Sequence, residues 1–580
     1  MDNYIRPLFW QHGEDESILR EEIRQMKKAH INEFIVESRP HPDYLSFGWW
    51  RDLDVIIDEA KKQDMFVWKL DDNAYPSGLA AGKIKELYPE HLKVYMKKYQ
   101  IDAIGPMKGA YINLNIAPKE EPLLKVIAAK RTNGTDLLDE DSLTDLTDLA
   151  KNGRIYWDIP QGEWRLFIIT ISRSGGEDWT RDYVNPISKE AVRKYIDIIY
   201  EEHYKRYASE FGKTIKGFFA DEPRFGNESS YEMLPGKGNA VFPYADGLIE
   251  RLSAEMGTDA GVMLPFLWSS ENNKCVDVHY AYMNVVSAMF GEAFGGQIGQ
   301  WCREHGVSLI GHMVEDSGAH SRLGYGCGHY FRAMEGFDEA GIDVVFQIWP
   351  EYMNGRHLTP FGYLDSEFFY WGICKMASSL AYLDEKKHGR TMCEIFGAYG
   401  WQEGLKLMKW LTDHVAVRGI NVLVPHAFSP KFPDEDCPPH FYARGNNPQW
   451  PYFHIWSSYA NRVMKMLSDG EPVTKVAVVY HAEAEWSGKE YQPFEKVVRV
   501  LAECQIDCDV VPIDRLAETP KYSAIVVPYA YCVSQEFLET ILSLASGGVQ
   551  IVFVRDYPQK IYYADNTTLL EKVKNHSRVQ

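Results

Sequence analysis

Glu222, in the segment GFFADEPRF, and Glu394, in CEIFGAYGW, each belong to a short apolar run that reads as a buried strand ending in polar residues. Two carboxyl groups facing each other across an opening can break a glycosidic bond. One donates a proton to the departing oxygen, and the other activates water or attacks the anomeric carbon. Asp221 precedes Glu222 and would help keep it protonated by like-charge repulsion, although adjacent strand residues point in opposite directions. Glu315, in GHMVED, ends a third apolar run and competes with Glu394 for the second role. An isolated Asp-Glu-Pro also suits a strand end meeting a solvated turn, so the reading depends on how the strands are arranged.

Other polar residues fall at the ends of similar runs: His12, Arg39, Asp71, Asp72, His312, Asp316 and His426. So many carboxylates at one rim are costly unless they bind a ligand, a cation or a proton. His312 and His426 suit hydrogen bonds to sugar hydroxyls, and His12, Asp71, Asp72 and Asp221 suit substrate binding. Trp10, Tyr399 and Trp401 lie at or beyond strand ends and offer flat faces for a sugar ring. Core packing accounts for any one of these histidines or aromatics equally well.

The positioning elements follow from alternating apolar strands and amphipathic helices, the pattern of a parallel sheet with helices outside it. Strands are expected at Ile5–Trp10, Glu33–Glu37, Met65–Leu70, Ile215–Ala220, Ser308–Val314, Ile342–Phe346, Thr391–Phe396 and Asn421–Pro425. Helices are expected at Glu14–Ala29, Trp50–Gln63 and Ser188–Phe211, with a long helical region over about 245–305. Eight strand–helix units close a (β/α)8 TIM-like barrel, whose active sites lie at the carboxyl ends of its strands. Glu222 then follows strand four and Glu394 lies on strand seven, across the mouth. The rhythm turns all-β between 101 and 175, which is expected to be a β-sandwich-like insertion after strand three. The barrel is therefore assigned to 1–100 and 176–465. A second alternation over 473–580 is expected to be a doubly wound α/β domain. It lacks a Gly-rich phosphate loop and is read as non-catalytic, serving homo-oligomer contacts or shielding the barrel.

A net charge of -20 repels phosphate backbones and argues against nucleic acid as a partner. Sixteen Trp and thirty-five Tyr favour a carbohydrate ligand slightly. The nine cysteines form no CxxC pair, the pattern of reduced thiols in a cytoplasmic protein. No run is long enough to span a membrane, and the amino terminus has no basic-then-apolar secretion pattern.

The segments IIDEAKKQDMFVWKLDDNAYPSGLAAG, DIPQGEWRLF, NPISKEAVRKYIDIIYEEHYKRYASEFGKTIKGFFADEP, WCREHGVSLIGHMVED and CEIFGAYGW, in order over about 1–460, resemble glycoside hydrolase family 106, the α-L-rhamnosidase-like family. The 473–580 region resembles the amidotransferase-like domain that follows the barrel in such enzymes. The resemblance implies an inverting hydrolase, with Glu222 as acid and Glu394, or else Glu315, as base. It also implies a calcium ion that helps hold sugar hydroxyls, and no organic cofactor. The chain ends at Gln580 within the amidotransferase-like region, without the β-rich domains of longer members, which puts rhamnose itself in question.

Three alternatives stand beside this reading. A retaining β-glycosidase of the large barrel clan (β-galactosidase-like) also uses glutamates on strands four and seven, but usually has Asn-Glu where this chain has Asp221-Glu222. A metal-dependent amidohydrolase-type enzyme usually needs His-x-His after strand one, where this chain has Gln11-His12-Gly13. A non-catalytic sugar-binding protein would not need both glutamates.

Overall fold

The computed structural model describes residues 4–132, 134–314, 316–351, 354–359, 362–518, 522–564 and 567–580. It is a mixed α/β fold with parallel sheets. Leu8–Gln11, Glu33–Ser38, Phe66–Leu70, Ile215–Asp221 and Ser308–His312 pair side by side in that order as a five-stranded parallel sheet. Ala340–Val344, Thr391–Ile395 and Val422–Pro425 form a three-stranded parallel sheet. Almost every residue of these strands is buried, as expected where both faces of a parallel sheet are covered.

Backbone hydrogen bonds join the edges of the two sheets. Asp338 N–H donates to Leu309 O at 2.8 Å. At the other edge Arg6 N–H donates to Leu423 O at 2.9 Å, and Phe428 N–H to Leu8 O at 2.8 Å. Gly341 permits the first junction, because a Cβ there would lie 1.7 Å from Gly311 O. One apolar cluster draws on both sheets, with Leu8, Ile35, Leu70, Phe219 and Ile310 packing against Met392, Val422 and Val424. Residues facing the other way, such as Phe34, Val36, Phe218 and Leu423, join the helices in a larger core.

The helices pack for the reasons their sequences suggest. Glu16–Lys28 buries Leu19, Ile23 and Met26, with Glu16 in its first turn and Lys27 and Lys28 in its last, matching the helix dipole. Phe47–Lys62 buries the stripe Leu53, Ile56, Ile57 and Ala60. Lys189–Tyr207 starts at Ser188, whose side chain accepts from Ala191 N–H at 3.3 Å. The helical region expected over about 245–305 is broken into shorter pieces. Leu248–Met256 stops at left-handed Gly257, and Lys274–Gly291 passes through a wider turn at Glu292–Gly296. Gly295 and Gly296 lie in that turn, and Gly295 sits close to Ala333 O.

The all-β segment differs from the two-layer arrangement expected. Val94–Asn113 and Arg154–Ser172 pair antiparallel along most of their length. With Leu123–Lys130, Thr144–Asp145 and Phe242–Tyr244 they make one five-stranded sheet. Two long bulged strands supply what several short ones would in a sandwich, and their apolar face packs as its own cluster around Ile112, Val126, Ile155 and Leu166. The sheet begins at Val94, ahead of residue 101.

Towards the carboxyl end, Cys508–Pro512, Val476–Tyr480, Ala524–Val527 and Gln550–Phe553 form a four-stranded parallel sheet in that order. Its first strand is flanked by the second on one side and the third on the other, the doubly wound pattern. Phe494–Glu503 and Gln535–Ser546 pack beside it, the latter started by Ser534, which accepts from Phe537 N–H at 3.1 Å. All nine cysteines are free thiols. Among the described residues no helix is long and apolar enough to cross a membrane.

Candidate active site

Glu222, Glu394, Asp221 and His312 come together at the carboxyl ends of the parallel strands. Asp221 and His312 are the last residues of neighbouring strands and are register partners. His312 Nε2 lies 3.0 Å from Glu394 Oε2 and 3.5 Å from Asp221 Oδ1. All three side chains are buried.

The two glutamates meet opposite electrostatic surroundings. Burial raises the Glu222 carboxyl above its ordinary value, and Asp316 and Glu394 push the same way, against Arg224 and His312. Burial also opposes ionisation of Glu394, but the His312 hydrogen bond and the positive charge of His312 and Arg39 outweigh it and hold Glu394 below its ordinary value. Asp221 is raised by burial and by Glu394. Carboxyl groups driven apart in this way divide naturally into a proton donor and an ionised partner.

Glu222 is clamped. Arg224 donates from a terminal guanidinium nitrogen to Glu222 Oε2 at 2.7 Å, lies 3.8 Å from Glu177, and stacks over the Tyr325 ring. The Glu222 backbone is left-handed, with φ of 46°, a conformation rare for a side chain of this size and unusual before a proline. Asp316 adjoins it, accepting from Gln347 at 2.8 Å and from the Tyr231 hydroxyl.

On the other side Arg39 donates to Glu37 at 2.6 Å and to Asp436 at 2.9 Å, and lies 4.2 Å over the Trp10 ring. Glu37 is wholly buried, and burial raises its carboxyl despite Arg39. Trp10 also meets the rings of His426 at 5.0 Å and His440 at 5.1 Å, edge to face. Burial lowers His426 to about 4, so it is neutral at pH 7. Trp401 is 43% exposed beyond His440, with ring centres 5.8 Å apart.

The remaining residues proposed from the sequence lie elsewhere or have other work. Asp71 is buried and accepts from Ser77 and Tyr200, and burial raises it to about 7. Ser77 in turn accepts from Asp221 N–H at 2.7 Å, so Asp71 braces the strand end that carries the site. Asp72 accepts from the backbone N–H groups of Asn73, Gly78, Ala80 and Ala81, building the loop that presents Tyr75. The proximity of Glu222 helps raise Tyr75 to about 12, after burial. His12 pairs with Glu14 at 2.9 Å. Tyr399 is core, donating to Ile348 O at 2.8 Å. Glu315 lies outside the described residues. Glu37, Arg224, Tyr231 and Gln347 were not singled out from the sequence. Glu37 is the last residue of the run expected as strand two and the penultimate one of the observed strand, and the other three lie in irregular connections.

Asp221, His312 and Glu394 also place one potential ligand atom each within 4.8 Å of the others. A nitrogen beside two carboxylates suits zinc or a similar ion. It does not suit calcium, which collects six to eight oxygens.

No protein-family model matches the chain, and no curated protein sequence matches it. The arrangement of strands is that of solved glycoside hydrolase structures. A rhamnosidase from Novosphingobium sp. PP1Y superposes with a TM-score of 0.68 at 12% identity, covering 99% of this chain and 70% of that one. A β-galactosidase from Bacillus circulans sp. alkalophilus gives 0.56 at 13%, covering 99% and 74%. Gan42B, a GH42 β-galactosidase, gives 0.59 at 12%, covering 95% and 72%. At such identities the likeness concerns the fold.

Proposed function

We propose that the chain is a glycoside hydrolase that removes a terminal sugar by a two-carboxylate mechanism. The observation that carries this reading is the opposed environment of Glu222 and Glu394 at one rim. Glu222, raised by burial, donates the proton to the leaving oxygen. Glu394, kept ionised by His312, activates water from the other side of the sugar. Arg224 aims Glu222, and Arg39, Trp10, Trp401 and His426 line the approach. The two parallel sheets are read as one (β/α)8 barrel. The hydrogen bonds at both junctions and the shared apolar cluster support that closure. The sugar is read as α-L-rhamnoside-like and the outcome as inverting. The Novosphingobium rhamnosidase and the segment resemblances support the first, and Asp221 in place of asparagine supports the second.

The test is turnover of nitrophenyl α-L-rhamnoside and β-galactoside by the wild type and Glu222→Gln, with the anomer of the product resolved. An active wild type and a variant slower by roughly 10²–10⁴-fold support the assignment. Wild-type rates in a folded variant sink it.

A second reading, a metal-dependent hydrolase, is favoured by the Asp221–His312–Glu394 trio. Elemental analysis separates the two. One zinc per chain, with activity lost to a chelator, selects the metal reading.

A further inference from the structure

A cavity of about 170 Å³ lies where the C-terminal four-stranded sheet meets the loops that follow the Ser308–His312 strand. That is several times the ~30 Å³ of a liquid water molecule. Tyr480 and His481, at the carboxyl end of the Val476–Tyr480 strand, form one side. In the sheet order this strand stands between Cys508–Pro512 and Ala524–Val527. Doubly wound sheets bind ligands outside the carboxyl ends of strands at this switch in order. His320 and Phe368, from the other part of the chain, also line it, with stacked rings 4.9 Å apart and His320 Nδ1 2.8 Å from the Tyr480 hydroxyl.

The charges around the cavity are unequally matched. Glu485 is fully engaged, accepting from Arg322 at 2.8 Å, the Tyr491 hydroxyl at 2.8 Å and the Ser321 hydroxyl at 2.5 Å. Glu495 is only 6% exposed and borders the cavity, yet among the described residues no other side chain hydrogen-bonds its carboxylate. Burial raises its carboxyl to about 8, helped by Asp365 and Glu485, of its own sign, which act on it more strongly than Lys496, of opposite sign, so it is largely protonated at pH 7 in the free chain. His481 is lowered to about 4 by burial, and His320 is lowered further, so neither supplies charge at neutral pH. Arg322 is matched to Glu485. A buried carboxyl with so weak a counter-charge holds its proton, and a ligand that brings an ammonium group favours its ionisation and pairs with it. Phe494, Phe368 and Tyr480 add aromatic surface beside it, which attracts organic cations. One carboxyl group, hydrogen-bonded among the described residues only to its own backbone N–H, supplies too few oxygens for calcium or magnesium.

We infer that this cavity binds a small organic cation, a primary amine whose ammonium group pairs with Glu495 and whose carbon skeleton packs on Phe494, Phe368 and Tyr480. A diamine and an amino sugar share this chemistry.

Calorimetric titration of the intact chain with 1,4-diaminobutane, glucosamine, glucose and calcium chloride tests it. At least one amine should bind while glucose does not, and the better amine identifies the source. Glu495→Gln should weaken that binding roughly tenfold or more, the effect of losing a charged hydrogen bond. Glu495→Asp, which keeps the charge, should weaken it less. Glu222→Gln should leave it unchanged, separating this site from the candidate active site. Absence of amine binding, binding that survives Glu495→Gln, loss of binding in Glu222→Gln, or calcium binding that depends on Glu495 where amines fail would each overturn the inference.

Discussion

His312 Nε2 lies 3.0 Å from Oε2 of Glu394, and this contact sets the ionisation of the carboxylate read as the base. Burial alone would raise Glu394; the imidazole reverses the sign. Replacing His312 by Ala therefore moves the acidic limb of the pH–rate profile to higher pH. An unmoved limb would detach His312 from the titration of Glu394.

Glu394→Gln removes the ionised partner. Turnover should fall for every aglycone alike, whereas the loss in Glu222→Gln should shrink as the leaving phenol becomes more acidic and needs less protonation. Parallel leaving-group dependence in the two variants would contradict the division of roles.

Arg224 pulls the Glu222 carboxyl down against burial. In Arg224→Met the carboxyl rises, so the basic limb of the profile moves to higher pH. Glu222 and Glu177 also lose their buried counter-charge. A stability loss of about 3–5 kcal/mol is expected, visible in denaturant unfolding.

Asp72 accepts from four backbone N–H groups of one loop. Asp72→Ala leaves these donors unpaired and should cost about 3 kcal/mol or more. Because the loop carries Tyr75 towards Glu222, KM should rise with it. Unchanged KM in the destabilised variant would place Tyr75 outside substrate contact.

Glu495 is raised by burial from 4.5 to about 8. A carboxyl raised in the folded state contributes stability that is fully present below its unfolded value and lost as pH rises through the folded one. Wild type should therefore lose stability relative to Glu495→Gln between pH 4.5 and about 8, and melting curves at several pH values check this.

The apolar runs showed where the strands lie because parallel strands are buried on both faces and end abruptly in polar residues. Glu222, Glu394, Asp221, His312 and His426 could be named on that ground. Strand-end position does not reveal direction, however. Asp71 and Asp72 stand at such an end but turn into the core and the loop. Glu37 closes the run expected as strand two, so the same rule reaches it, but only the fold shows Arg39 and Glu394 beside it. Tyr231 and Gln347 reach the site from irregular segments with no periodicity to read. The broken helices of 245–305 depend on glycines packed against distant backbone, a tertiary cause.

The left-handed backbone at Glu222 has a consequence for how this chain tolerates change. A glutamate held there costs about 1–3 kcal/mol, and glycine would relieve most of it. Glu222→Gly and Glu222→Ala both leave Arg224 without its nearest partner, so the strain is read from their difference, and the glycine variant should be the more stable of the two. At this one position backbone strain and a buried ion pair pull stability in opposite directions, so a screen for thermal robustness alone would be nearly blind to it, and one that also scores product would reveal what the glutamate does.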